Sequence, residues 1–133
     1  GVKIHIICRG ICVLVPETRS KKSNIRVISI VDRFLEHSRI IAYANDGNPE
    51  LFLSSADWMV RNFDHRFEAA TPVYDEKLKN DLLNMLKIQL TDNVKARLVN
   101  STPPNKSLKS FAGSLIKSAH NPYSIESKIF VIK

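Results

Sequence analysis

His37 and Arg39 stand two residues apart at the head of an apolar strand, in the run Glu36-His37-Ser38-Arg39. Alternate residues of a strand point to the same face, so an imidazole and a guanidinium are offered side by side. The imidazole can take or give a proton or a phosphoryl group. The guanidinium can hold oxygens in a planar fork. A second grouping, Ser54-Ser55-Ala56-Asp57-Trp58-Met59, precedes Arg61-Asn62 at the end of the next strand. Its hydroxyls and backbone N–H groups can line a pocket or simply build a strand-end turn. Asp57 is a candidate to orient His37, as a carboxylate often does for a working His. Arg9 closes the first strand, at the end where open α/β sheets bind ligands. These residue types together point to phosphate chemistry.

Other chemistries find less support. Only 4 Gly occur in 133 residues, and none forms a phosphate-cradling glycine loop. A phosphate site here must rest on side chains. The two cysteines, Cys8 and Cys12, have no partner at metal spacing. Cys8 reads as a small core residue on a strand, and a reduced cytoplasmic setting is the simplest context. His5, His65 and His120 share no metal-binding spacing; His5, mid-strand among apolar neighbours, reads as structural. The net charge of +7 favours polyanionic partners, or serves solubility. Hydrophobic content of 44% and charged content of 25% suit one globular domain, with no run long enough to span a bilayer.

The elements that must position these groups follow from periodicity. Val2 to Cys8 and Ile25 to Val31 are strands rich in Ile and Val, separated by the break at Arg9-Gly10 and a polar loop over Glu17 to Asn24. Asp32 to Glu36 fits either a short helical turn or continued strand. Arg39 to Ala44 is a third strand. Asn45-Asp46-Gly47-Asn48-Pro49 is a turn of about five residues, and Leu51 to Ser54 returns from it. Ser55 to Arg66 reads as loop, and Arg66 to Val73 as strand. Leu78, Leu82, Leu83, Met85, Leu86 and Leu90 form a helical apolar stripe that Asp75 would cap. Val94 to Val99 is a short last strand, with Lys95 and Arg97 on one face. Trp58 fits a core position better than a base-stacking one. Beyond Val99, Pro103-Pro104 breaks regular structure. A weak helix over Ser110 to His120, then a strand or tail over Ser127 to Lys133, is the remaining reading.

Three of these segments, in this order, carry a resemblance. Arg9-Gly10-Ile11-Cys12, Ile28 through Arg39, and Leu53 through Asn62 resemble the C-terminal part of bacterial polyphosphate kinase, structurally of the phospholipase D superfamily. The resemblance runs from Val2 to about Val99. It implies an α/β fold: a phospholipase D-like mixed sheet flanked by helices, present as a partial domain. It assigns residues 1–100 to the catalytic domain and 101–133 to a tail. The superfamily pairs its His with Lys two residues on; here the cation is Arg39, which suits polyphosphate kinase better than a phosphodiesterase.

By this resemblance the phosphohistidine lies in a preceding domain, outside the chain. His37 then matches the family's second histidine, catalytic and close to the nucleotide phosphates, and Arg9 matches an arginine on the ATP phosphates. Arg39, Ser54, Ser55, Asp57, Arg61 and Asn62 become pocket support. The implied activity is reversible transfer of the ATP terminal phosphate to polyphosphate. The implied partners are ATP or ADP, inorganic polyphosphate, and further copies of the full-length protein, with no specific nucleic acid. Mg2+ is implied, with ligands outside this chain. The implied location is cytoplasmic, with peripheral contact at the inner membrane. A strand beginning at residue 2 and the missing initiator Met lead to the expectation of a fragment, inactive alone. Two other readings stay open: a phospholipase D-like phosphodiesterase or nuclease, and a non-catalytic basic module that binds polyanions by charge.

Overall fold

A computed structural model describes residues 2–14, 16, 24–99 and 128–132, the last group by its backbone. Seven strands form one mixed sheet: β1 (Lys3–Ile7), β2 (Ile25–Ser29), β3 (Ile40–Tyr43), β4 (Glu50–Ser54), β5 (Ala70–Pro72), β6 (Arg97–Leu98) and β7 (Lys128–Ile132). Among the described residues two α-helices are inserted, α1 (Val60–Asp64) and α2 (Glu76–Leu90). The spatial order is β5-β4-β3-β7-β1-β2-β6. β1 runs parallel to β2 and β7, while the β3–β7, β3–β4, β4–β5 and β2–β6 pairs are antiparallel.

This topology gathers the candidate residues. β1 finishes where β7 finishes, with Ile7 beside Ile132. β3 runs against β7, so its start lies at that same end of the sheet. β4 runs against β3, with Ile40 opposite Leu53, so its finish lies there too. Arg9 after β1, His37 and Arg39 before β3, and Ser54 to Asp57 at and beyond the finish of β4 therefore lie at one end of the sheet.

The core explains why the sheet holds. Ile7, Ile28, Ile40, Ala42, Leu51, Leu86 and Ala96 form one buried cluster, with Leu82, Leu83, Met85 and Leu90 of α2 packed against it. Val27 and Ile28 are successive in β2 yet both 0% exposed, so both faces of that strand are covered. Cys8 is buried at the end of β1, as its sequence context implied. Asp75 caps α2, its carboxylate accepting from Leu78 N at 2.8 Å. At the other end Thr91 Oγ1 donates to Lys87 O at 2.8 Å.

Several expectations need correction. Ser55 to Arg66 is not loop throughout, since α1 occupies Val60–Asp64. The strands expected over Ile25 to Val31, Arg66 to Val73 and Val94 to Val99 shrink to Ile25–Ser29, Ala70–Pro72 and Arg97–Leu98. β5 is an edge strand, where the proline that ends it leaves no ladder bond missing inside the sheet. Asp92 explains the short β6: its carboxylate accepts from the backbone N of Val94, Lys95 and Ala96, a turn that occupies residues expected in the strand. Asp32 to Glu36, open between helix and strand, is neither. Leu78 leaves the helical stripe at 56% exposure, because the first turn of α2 overhangs the core. The hairpin turn is built on Asn45, Asp46 and Gly47, all at positive φ, with Gly47 at +88°. The tail reading resolves in part: residues 128–132 are a strand between β1 and β3, and the expected helix over Ser110 to His120 and loop over Glu17 to Asn24 lie outside the described residues, apart from Asn24.

Candidate phosphate site at the sheet edge

Arg39 enters β3 with its side chain only 18% exposed, and Asp57 faces it at 20%. Arg39 Nε donates to Asp57 Oδ1 at 2.8 Å. The second branch of the guanidinium, Nη2, lies 2.6 Å from His37 Nε2. A guanidinium only donates, so His37 Nε2 accepts here through its lone pair. Asp57 also lies 3.9 Å from His37 Nε2 and 4.0 Å from Arg61 Nη2. One carboxylate thus fixes the plane of Arg39, and Arg39 in turn holds the imidazole. His37 itself is about half exposed, at 49%, so a ligand can reach it.

Arg9 belongs to the same end of the sheet. Its Nη1 donates to the carbonyl of Glu36 at 2.8 Å, tying the end of β1 to the residue before His37. Asp32, further along the chain, pairs with Lys95 at 3.2 Å. Glu36 turns its carboxylate to Ser38, accepting from Ser38 N at 3.0 Å and from Ser38 Oγ. Those hydrogen bonds, with a smaller contribution from the Arg9 charge, hold the Glu36 carboxyl below the usual carboxylate range.

The small hydroxyls build the turn. Ser54 Oγ accepts from Ala56 N at 3.1 Å, and Ser55 Oγ accepts from Ala69 N at 2.9 Å. Asn62 is 3% exposed, a buried polar side chain in α1. Trp58, expected in the core, is 50% exposed and meets Phe63 edge-on at 6.4 Å. Trp58 stands in the bend just before α1 and packs on Phe63 of that helix, itself exposed, rather than on the sheet. His5 lies within β1 as expected, and His65 closes α1. His120 is outside the described residues.

Sequence reading missed Glu68. Its Oε2 accepts from Ser55 Oγ and its Oε1 from Asn62 Nδ2, both at 2.5 Å. These two hydrogen bonds, then the charges of Arg66 and Arg39, keep the Glu68 carboxyl low and ionised. Nothing local marked this residue, since its partners are six and thirteen positions away.

A divalent cation fits poorly on these residues. Among the described residues no group of three or more His, Cys, Asp or Glu lies together as a metal site. Asp57, Glu36 and Glu68 are each engaged by protein donors.

The mixed α/β sheet places the chain in the phospholipase D-like fold class, with a His–Arg pair and a second arginine at one end of the sheet. The profile of the family described as "Polyphosphate kinase C-terminal domain 2" matches residues 1–118, running past Val99. The chain is 53% identical over 105 residues to the polyphosphate kinase of Vibrio parahaemolyticus, covering 79% of this chain and 15% of the relative. It is 45% identical over 106 residues to that of Escherichia coli K12, covering 80% and 15%. The crystal structure of polyphosphate kinase from Porphyromonas gingivalis superposes with a TM-score of 0.71 at 41% identity, over 88% of this chain and 20% of that one. The chain belongs to the polyphosphate kinase C-terminal domain 2 family. It spans about 15% of the length of the relatives it matches.

Proposed function

We propose that this chain supplies one half of the pocket of an ATP:polyphosphate phosphotransferase, in which the phosphohistidine belongs to another part of the enzyme. The observation that carries the reading is the convergence of Arg9, His37 and Arg39 at one end of the sheet, with Arg39 locked by Asp57 at 2.8 Å. Phosphoryl transfer asks mostly for positioned positive charge on the equatorial oxygens. Arg9 and Arg39 provide two such donors from different strands. His37 provides a proton acceptor or donor at the bridging oxygen.

The geometry suggests an order of events. Before substrate arrives, Arg39 occupies the His37 Nε2 lone pair, and Arg9 occupies the Glu36 carbonyl. A phosphate oxygen competes for both guanidinium branches. As Arg39 Nη2 turns to the phosphate, His37 Nε2 is released to handle a proton. Phosphate binding thereby uncovers the group that the reaction needs. The described residues do not form an Mg2+ site.

The test is calorimetric titration of this chain with a non-hydrolysable ATP analogue and with polyphosphate, at two salt concentrations. Saturable binding that survives the higher salt, and that Arg9→Ala or His37→Ala abolishes, supports the pocket. Binding that vanishes with salt and ignores both substitutions leaves only a basic surface.

A further inference from the structure

Between β4 and β5 the chain leaves the sheet at Ser55 and returns at Ala69. The neck is stitched by Ser55 N donating to Ala69 O at 2.9 Å and Ala69 N donating to Ser55 Oγ at 2.9 Å. These bonds close the loop but leave its middle unplaced. Glu68 adds what the neck lacks. One carboxylate oxygen takes Ser55 Oγ at the strand end, and the other takes the buried Asn62 Nδ2 in α1. Asp57 lies between those two tie points, and Asp57 takes the Nε–H of Arg39.

We propose that Glu68 is a positioning residue of the phosphate site: by bridging Ser55 to Asn62 it fixes the turn that carries Asp57, and so sets the orientation of Arg39 beside His37. The ligand part of this inference rests on the phosphate-site reading, whereas the ordering of Arg39 does not. The chemistry favours a carboxylate at this position. Both partners donate, so two acceptor oxygens are needed, and Glu has them. Gln would accept from one partner and could only donate to the Ser55 hydroxyl oxygen. The positive charge of Arg39 also reaches Glu68, so the two lie in one electrostatic neighbourhood. The bridge is a support one step removed from the groups that meet phosphate, and such supports typically change site affinity about 10–100-fold when removed.

The experiment follows the Arg39 Nε–H resonance by NMR in the full chain, assigned through its loss in Arg39→Lys. Glu68→Ala, Glu68→Gln and Asp75→Ala are compared, each with a thermal melt and a titration with inorganic tripolyphosphate. The inference expects a slowly exchanging Nε–H in the parent chain. In Glu68→Ala that signal collapses to free-arginine behaviour and tripolyphosphate affinity falls about tenfold. Glu68→Gln recovers part of both. Asp75→Ala lowers the melting temperature and moves neither. A folded Glu68→Ala with the parent resonance and affinity overturns the inference. Should Glu68→Ala fail to fold, Glu68→Gln decides: an unchanged Arg39 signal overturns the inference, and a broadened or faster-exchanging one supports it. If the parent chain binds no tripolyphosphate while the Arg39 signal still follows Glu68, the phosphate-site reading falls and the positioning role stands.

Discussion

Replacing Asp57 separates two opposed effects on the same site. Asp57 and Arg39 are 2.8 Å apart and only 20% and 18% exposed. At an effective dielectric constant of about 20, the gross attraction across that distance is roughly 6 kcal/mol. Desolvation and side-chain entropy offset much of it, and a hydrogen bond between charged groups is worth about 1.5–3 kcal/mol net. Asp57→Ala should therefore destabilise the chain by about 1.5–3 kcal/mol, a fall of roughly 5–12 °C in melting temperature. Asp57→Asn keeps a neutral acceptor for Arg39 Nε and should cost about 1 kcal/mol. Binding gives the sharper contrast. Removing a negative charge from a cationic site should, on charge alone, tighten anion binding by about 0.5 kcal/mol at some 8 Å in water. Loss of the lock on Arg39 should weaken it about tenfold, as removal of an orienting partner does. The positioning account predicts net weakening, read by isothermal titration with tripolyphosphate at moderate salt. Tighter binding by Asp57→Ala, or a stability within about 0.5 kcal/mol of the parent, would refute the reasoning.

Other consequences are simpler. Asp75→Ala should cost about 0.5–2 kcal/mol in urea unfolding through the lost cap on α2, and leave anion binding unchanged. Leu86→Ala, at a side chain 1% exposed, should cost about 2–5 kcal/mol, whereas Leu78→Ala at 56% exposure should stay within about 0.5 kcal/mol. Asp32, Glu36 and Glu68 all titrate below the usual carboxylate range in the folded chain. Each binds fewer protons folded than unfolded, so the stability it lends is complete above about pH 5 and is lost as pH falls through the lowered value. Melting temperature should decline as pH falls below about 5, with a shallower decline in Glu36→Gln. A rise in stability toward pH 4 would contradict this.

Much of the fold and site was legible because the signals are local. His37 and Arg39 share a face by strand period alone, and the structure brings Arg39 to His37 at 2.6 Å. Asp75 read as a cap because acidic side chains at that position meet an open N–H, and it accepts from Leu78 N. Turn chemistry marked the Asn45–Gly47 hairpin. What stayed hidden depends on distant partners. Glu68 works through Ser55 and Asn62, and β7 enters the sheet from the far end of the chain. Trp58 misled because a large aromatic beside a strand usually packs inward, but here it stands in an exposed bend before α1 and meets Phe63 of that helix. Ser54 and Ser55, read equally as pocket or turn, spend hydrogen bonds on Ala56 and Ala69.

In the proposed enzyme this segment supplies Arg9 and His37 to a polyphosphate-forming pocket. The most direct measurement grafts residues 1–118 in place of the matching segment of the Vibrio parahaemolyticus enzyme, 53% identical over its aligned length. Transfer from radiolabelled ATP to polyphosphate is then followed. The account predicts an active chimera whose rate falls about 10²–10³-fold with Arg9→Ala, the loss expected for one donor to transition-state charge, and at least as far with His37→Ala. A folded, ATP-binding chimera that is inactive, or an active one indifferent to both substitutions, would contradict it.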